Sequence, residues 1–85
     1  MNKVLIADDN IQITKVLADY AKKEGWGSHI AHDGEEALQL FREHEKEIAI
    51  VFLDVMMPRK DGFSVCKAIR ASSLVPVIMI TARTE

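Results

Sequence analysis

Three apolar runs of this 85-residue chain end on groups that could do chemistry. "VLIADDN" carries Asp8 and Asp9, "VFLDVMMPRKDG" carries Asp54, and "VIMITA" closes on Thr81. Taken singly, each acid reads as readily as a helix cap or turn residue, because Asp is favoured in both places. Taken together they suggest a site. If the runs before Asp8 and Asp54 are neighbouring parallel strands, three carboxylates meet in one crevice, where they raise one another's pKa and call for a cation. Oxygen ligands, with water completing an octahedron, indicate Mg²⁺ or Mn²⁺ before zinc. A Thr81 hydroxyl and the N–H that follows it would suit an anion beside that metal. The chemistry implied is phosphoryl transfer, with a carboxylate attacking phosphorus while the cation offsets developing charge.

The elements that must position these groups can be read from periodicity. Lys3 to Ala7 is a short apolar strand, and Asp9 or Asn10 caps a helix with Ile13, Val16, Leu17 and Tyr20 at helical spacing, stopped by Gly25. "SHIAH" reads as a second strand, "DG" as a turn, and Glu35 and Glu36 open a second helix with Ala37, Leu38 and Phe41 on its apolar stripe. Ile48 to Leu53 is a third strand, Asp61 caps a third helix carrying Phe63, Val65, Cys66 and Ile69, and Val75 to Ile80 is a fourth strand with Pro76 near its start. Alternating β and α elements with near-continuous apolar strands predict an α/β fold, a parallel sheet with helices on both faces. Reversal of the winding after the second strand would place the first and third strands side by side, at the position where such sheets hold ligands.

Composition narrows the function. A chain of this length makes one domain, residues 1–85, with a thin core. A net charge of −2 with scattered basic residues gives no footprint for direct nucleic-acid binding. The longest apolar run, Ile48 to Leu53, is far short of the roughly 20 residues that span a bilayer, so no membrane role is expected. With Cys66 alone no intrachain disulfide can form, and a reducing cytoplasm is the simplest compartment. His29 and His32 lie three apart on a strand and point to opposite faces, and His44 is distant in sequence, so the histidines predict no zinc site. Trp26, between two glycines, is expected to pack against the sheet.

These motifs, in this order and with "HDGEEAL" at the second helix, resemble the receiver domain of bacterial two-component response regulators. The resemblance implies a flavodoxin-like fold with strand order 2-1-3-4, ending before the last helix, strand and helix of a complete receiver. It implies that Asp54 accepts a phosphoryl group from a sensor histidine kinase or phosphotransfer protein. Asp8, Asp9, Asp54 and the Met56 backbone carbonyl would hold Mg²⁺. Thr81 would be the switch hydroxyl, the Ala82 N–H would contact phosphate, and Met56 and Arg83 match positions that modulate phosphoryl lifetime. Such a module is no enzyme beyond its own phosphorylation and dephosphorylation, and transcription control is its expected output. Pro58 and Gly62 read as shaping the loop, Gly62 through conformations other residues resist.

The chain stops at Glu85, before the fifth strand where the family keeps a phosphate-pairing lysine. The strand Val75–Ile80 would then present an exposed edge, and the face beneath it would lack cover, which predicts a homodimer through one or the other. An alternative function follows, a phosphorylation-incompetent fragment that keeps its fold by self-association. A metal-dependent phosphatase with an Asp nucleophile is a third reading. It lacks the second acid two residues on, where Met56 stands.

Overall fold

The seven elements form in the predicted order, and the computed structural model describes residues 2–80. They are β1 (Lys3–Ala7), α1 (Ile11–Lys23), β2 (Gly27–Ala31), α2 (Gly34–His44), β3 (Ile48–Asp54), α3 (Gly62–Arg70) and β4 (Val77–Ile80). The strands form one parallel sheet in the order β2-β1-β3-β4, so the reversal falls between β1 and β3.

Each helix starts where a side chain takes over an orphaned backbone donor. Asn10 is the cap of α1, accepting from the N–H groups of Gln12 (2.9 Å) and Ile13 (3.2 Å). Asp33 caps α2 through the Glu36 N–H at 2.8 Å, so its "DG" begins the helix directly, and Asp61 caps α3 through the Ser64 N–H at 2.8 Å. At the far end of α1, Gly25 takes φ of 82° while Gly25 N–H donates to Lys22 C=O and Trp26 N–H to Ala21 C=O. This left-handed stop turns the chain into β2. Asn10→Ala is expected to cost about 1 kcal/mol, lowering the midpoint of a thermal melt by roughly 4–8 °C.

Alternation along the strands divides the core. Leu5, Ala7, Val51 and Leu53 face α2 and α3, where they pack with Ala37, Leu38, Phe41, Val65 and Ile69. The intervening residues Val4, Ile50 and Phe52 face α1 and, with Leu17, Tyr20, Ala21 and Trp26, line an open apolar hollow of about 280 Å³. Trp26 thus packs over the sheet, as expected.

Three strands differ in their bounds from those expected. β2 is Gly27–Ala31 rather than Ser28–His32, because its pairing with β1 runs from Lys3 on Gly27 to Ala7 on Ala31. β4 begins at Val77, not Val75, because Pro76 has no N–H to give the ladder, although its carbonyl accepts from Val51 N–H at 2.9 Å. β3 runs one residue further, to include Asp54, because Val55 N–H still donates to Ile80 C=O at 3.0 Å.

Gly62 also differs in its reason. Its φ is not in the left-handed region; that conformation belongs to Arg59 (φ 71°). A Cβ on Gly62 would overlap the Asp54 carbonyl oxygen and lie 2.9 Å from the Asp54 carbonyl carbon. The residue is glycine because two stretches of backbone touch there.

Candidate functional site

The site is assembled by sheet register. Ala7 of β1 is paired with Leu53 of β3, so the residues that follow, Asp8 and Asp54, leave adjacent strands side by side. Both continue the alternation of Val4, Ile6, Ile50 and Phe52, which puts them on the α1 side of the sheet. Asp9 joins them from the start of the loop, and carboxylate oxygens from all three lie within 4.8 Å of one another.

Two of these acids are nearly out of water, Asp8 at 2% exposure and Asp54 at 7%, whereas Asp9 is exposed. Asp8 accepts from Asn10 N–H at 2.8 Å, and its own N–H donates to Ala31 C=O at 3.0 Å, which fixes it to β2 as well. Asp54 Oδ1 accepts from Met56 N–H at 3.3 Å. Burial pushes the Asp54 carboxyl above its ordinary value; the Met56 N–H opposes the rise, and the charges of Asp8 and Asp9 add to it. Among the described residues no lysine or arginine pairs with any of the three acids. An all-carboxylate donor set, crowded and without a protein cation, fits a hard divalent ion with water in its remaining positions.

The loop after Asp54 is docked on the N-terminus of α2. Gly34 N–H donates to Pro58 C=O at 3.4 Å, Arg59 Nε lies 3.5 Å from Asp33 Oδ2, and a Cβ on Gly34 would meet the Lys60 carbonyl. Gly62 N–H then returns to Val55 C=O at 2.9 Å. These contacts hold the loop that follows Asp54. The Met56 side chain is 60% exposed, so it belongs to the rim of the site and not to the core.

The structure therefore brings Asp8, Asp9 and Asp54 together and puts Met56 beside them. Thr81, Ala82 and Arg83 lie outside the described residues, although Ile80, one position earlier, is registered with Asp54 across β3 and β4.

Comparison with known proteins decides the family, because the response regulator receiver domain model matches residues 4–85. The chain belongs to that family. Among curated relatives it is 45% identical over 83 residues to the transcriptional regulatory protein CpxR of Escherichia coli K12, covering 98% of this chain and 34% of that protein. It is 49% identical over 80 residues to the probable transcriptional regulator ycf27 of Guillardia theta, covering 94% of this chain and 31% of the relative. The chain thus spans about a third of the length of the curated relatives it matches.

Solved receivers superpose over nearly all of the chain. A chain of the CheX-CheY-BeF3-Mg+2 complex from Borrelia burgdorferi matches with a TM-score of 0.88 and 35% identity, covering 99% of this chain and 64% of that one. The BeF3-activated N-terminal receiver domain of Klebsiella pneumoniae RstA matches with a TM-score of 0.87 and 26% identity, covering 99% and 70%. The flavodoxin-like receiver fold and the strand order 2-1-3-4 expected from the sequence are both found. Among the described residues no helix is long and apolar enough to cross a membrane.

Proposed function

We propose that this receiver domain takes a phosphoryl group onto the Asp54 carboxylate from a phosphohistidine, carried by a sensor histidine kinase or phosphotransfer protein in the cytoplasm. The observation that carries the reading is the pair of nearly buried carboxylates, Asp8 and Asp54, side by side at the strand reversal with Asp9 at their rim. Met56 N–H engages Oδ1 of Asp54, which leaves Oδ2 as the attacking atom. The new O–P bond forms as the P–N bond of the phosphohistidine breaks, and the departing imidazole nitrogen keeps the electron pair and takes a proton. Asp8, Asp9, Asp54 and the Met56 carbonyl would hold Mg²⁺, for which Mn²⁺ is a chemical substitute with the same oxygen preference. When bound, the ion supplies positive charge to the phosphoryl oxygens.

Thr81 and Ala82 keep their proposed parts as switch hydroxyl and phosphate-contacting N–H. The output we propose is control of transcription through the rest of a longer protein, which the names of the curated relatives support. The test is incubation with acetyl phosphate and Mg²⁺ followed by rapid intact-mass measurement. One phosphoryl group is expected on the native chain and none on Asp54→Asn. An unlabelled native chain, or equal labelling of the variant, would sink the proposal.

A further inference from the structure

Away from the aspartates, at the other end of the sheet, three side chains from three elements converge. His29 lies in the middle of β2, His44 is the last residue of α2, and Glu47 stands in the turn before β3. The sequence reading found no partner for either histidine, because His44 is fifteen positions from His29 along the chain; the fold stacks their rings, with centroids 4.0 Å apart and planes 14° from parallel. Glu47 Oε1 lies 3.4 Å from His29 Nε2 and 3.7 Å from His44 Nδ1. The candidate ligand atoms of all three lie within 4.8 Å of one another.

We propose that His29 Nε2, His44 Nδ1 and Glu47 Oε1 form a second metal site, taking Zn²⁺ or a similar borderline transition-metal ion, with water in the fourth position. Ligands about 2.05 Å from a tetrahedral ion stand roughly 3.4 Å apart, close to the two spacings that Glu47 already makes. Two imidazoles and one carboxylate also select a different ion from the all-oxygen aspartate cluster.

The supports are built in. Glu47 N–H donates to His44 C=O at 2.9 Å, and Glu47 C=O accepts from Lys3 N–H at 2.9 Å, so backbone bonds fix the carboxylate to both α2 and β1. Glu43 Oε1 lies 3.8 Å from His44 Nε2, on the side away from Glu47. A proton on Nε2 leaves Nδ1 free to ligate, and a small turn of Glu43 would bring its carboxylate within reach as the outer partner of a metal-bound histidine. The Glu47 carboxyl is held below its ordinary value by its bond to His29 and then by the charge of Lys3, and an ion bound at His29 Nε2 would take the place of the proton that makes that bond. Lys3 Nζ, 3.6 Å from Glu47 Oε1, stands where an ion would compete with it.

An ion sits in the plane of each ring that binds it, so the near-parallel stack must open by a turn of one imidazole. His44, with its side chain 34% exposed against 17% for His29, has the space to turn. The same exposure gives an ion and its water a way in.

The test is titration of the chain with Zn²⁺ in excess Mg²⁺, which occupies the aspartates, and in parallel with Co²⁺ as a spectroscopic probe. One equivalent of Zn²⁺ is expected to bind, and Co²⁺ is expected to give the intense visible bands of a four-coordinate ion. His44→Gln and Glu47→Gln, both at half-open positions, should each weaken Zn²⁺ by at least about tenfold and remove those bands. His29→Gln should do the same, with the metal-free circular dichroism melt confirming that it folds. A native chain that gives no four-coordinate Co²⁺ spectrum, or His44→Gln and Glu47→Gln variants that bind Zn²⁺ as tightly as the native chain, would overturn the proposal.

Discussion

Gly62→Ala is expected to lower the melting temperature by roughly 12–25 °C, the equivalent of about 3 kcal/mol in a domain of this size. The first residue of α3 rests against the back of the Asp54–Val55 peptide. An added Cβ would overlap the Asp54 carbonyl oxygen and stand 2.9 Å from its carbon and 3.0 Å from Val55 Cα. All three obstacles are backbone, so no side chain can swing aside. Relief requires either α3 to move outward, which uncovers the buried Val65 and Ile69, or the end of β3 to shift, which displaces Asp54 itself. Gly27→Ala is the matched control. Its nearest neighbours are the flexible carbons of Lys3 at 3.4 Å, and its melting point should stay near that of the native chain. A Gly62→Ala variant melting within two or three degrees of the native chain, about half a kilocalorie, would show that these backbones do not touch in solution.

Gly62 also shows what a sequence can and cannot display. Its place after Asp61 at a helix start was legible, and so were all seven elements, because period and capping are local signals. The reason for the glycine was not legible. It depends on the backbone of residues 54 and 55, seven and eight positions earlier, folding back over the helix start. The aspartate cluster could be read once the winding was taken to reverse after β2, an order that the family resemblance implied, and a register of Ala7 on Leu53 then brings Asp8 and Asp54 together. The histidine pair had no such signal. His29 sits on a strand and His44 on a helix end, and only the packing of α2 across β2 fixes their separation. The start of β4 was read too early for a local reason, since the apolar character of Val75 hides the absence of a donor at Pro76.

Asp54→Asn is expected to reverse its rank against the native chain when Mg²⁺ is added. In the metal-free fold, burial raises the Asp54 carboxyl above 3.8, with the Met56 N–H opposing and Asp8 and Asp9 reinforcing the shift. The folded chain therefore keeps a proton at pH values where the unfolded chain has released it. Stability falls as pH rises through that window, from the unfolded value up to the raised folded one, and the loss persists at neutral pH. Asparagine never ionises, so without metal the variant should melt a few degrees above the native chain at pH 7, and the difference should vanish in acid below the unfolded value. With Mg²⁺ the order changes, because the site that is costly when empty is the one a divalent ion stabilises. At a hundred times its dissociation constant the ion adds about 2.7 kcal/mol, roughly 10–20 °C for a domain of this size. Asp54→Asn removes an anionic ligand from the centre of the cluster and should forfeit most of that gain. Melts at pH 7 with EDTA and with saturating Mg²⁺ read both effects. If the native chain gains nothing from Mg²⁺, or the variant gains as much, the three carboxylates do not act as one metal site. If instead the variant melts below the native chain in EDTA, the ionised Asp54 is not the burden that its burial beside Asp8 implies.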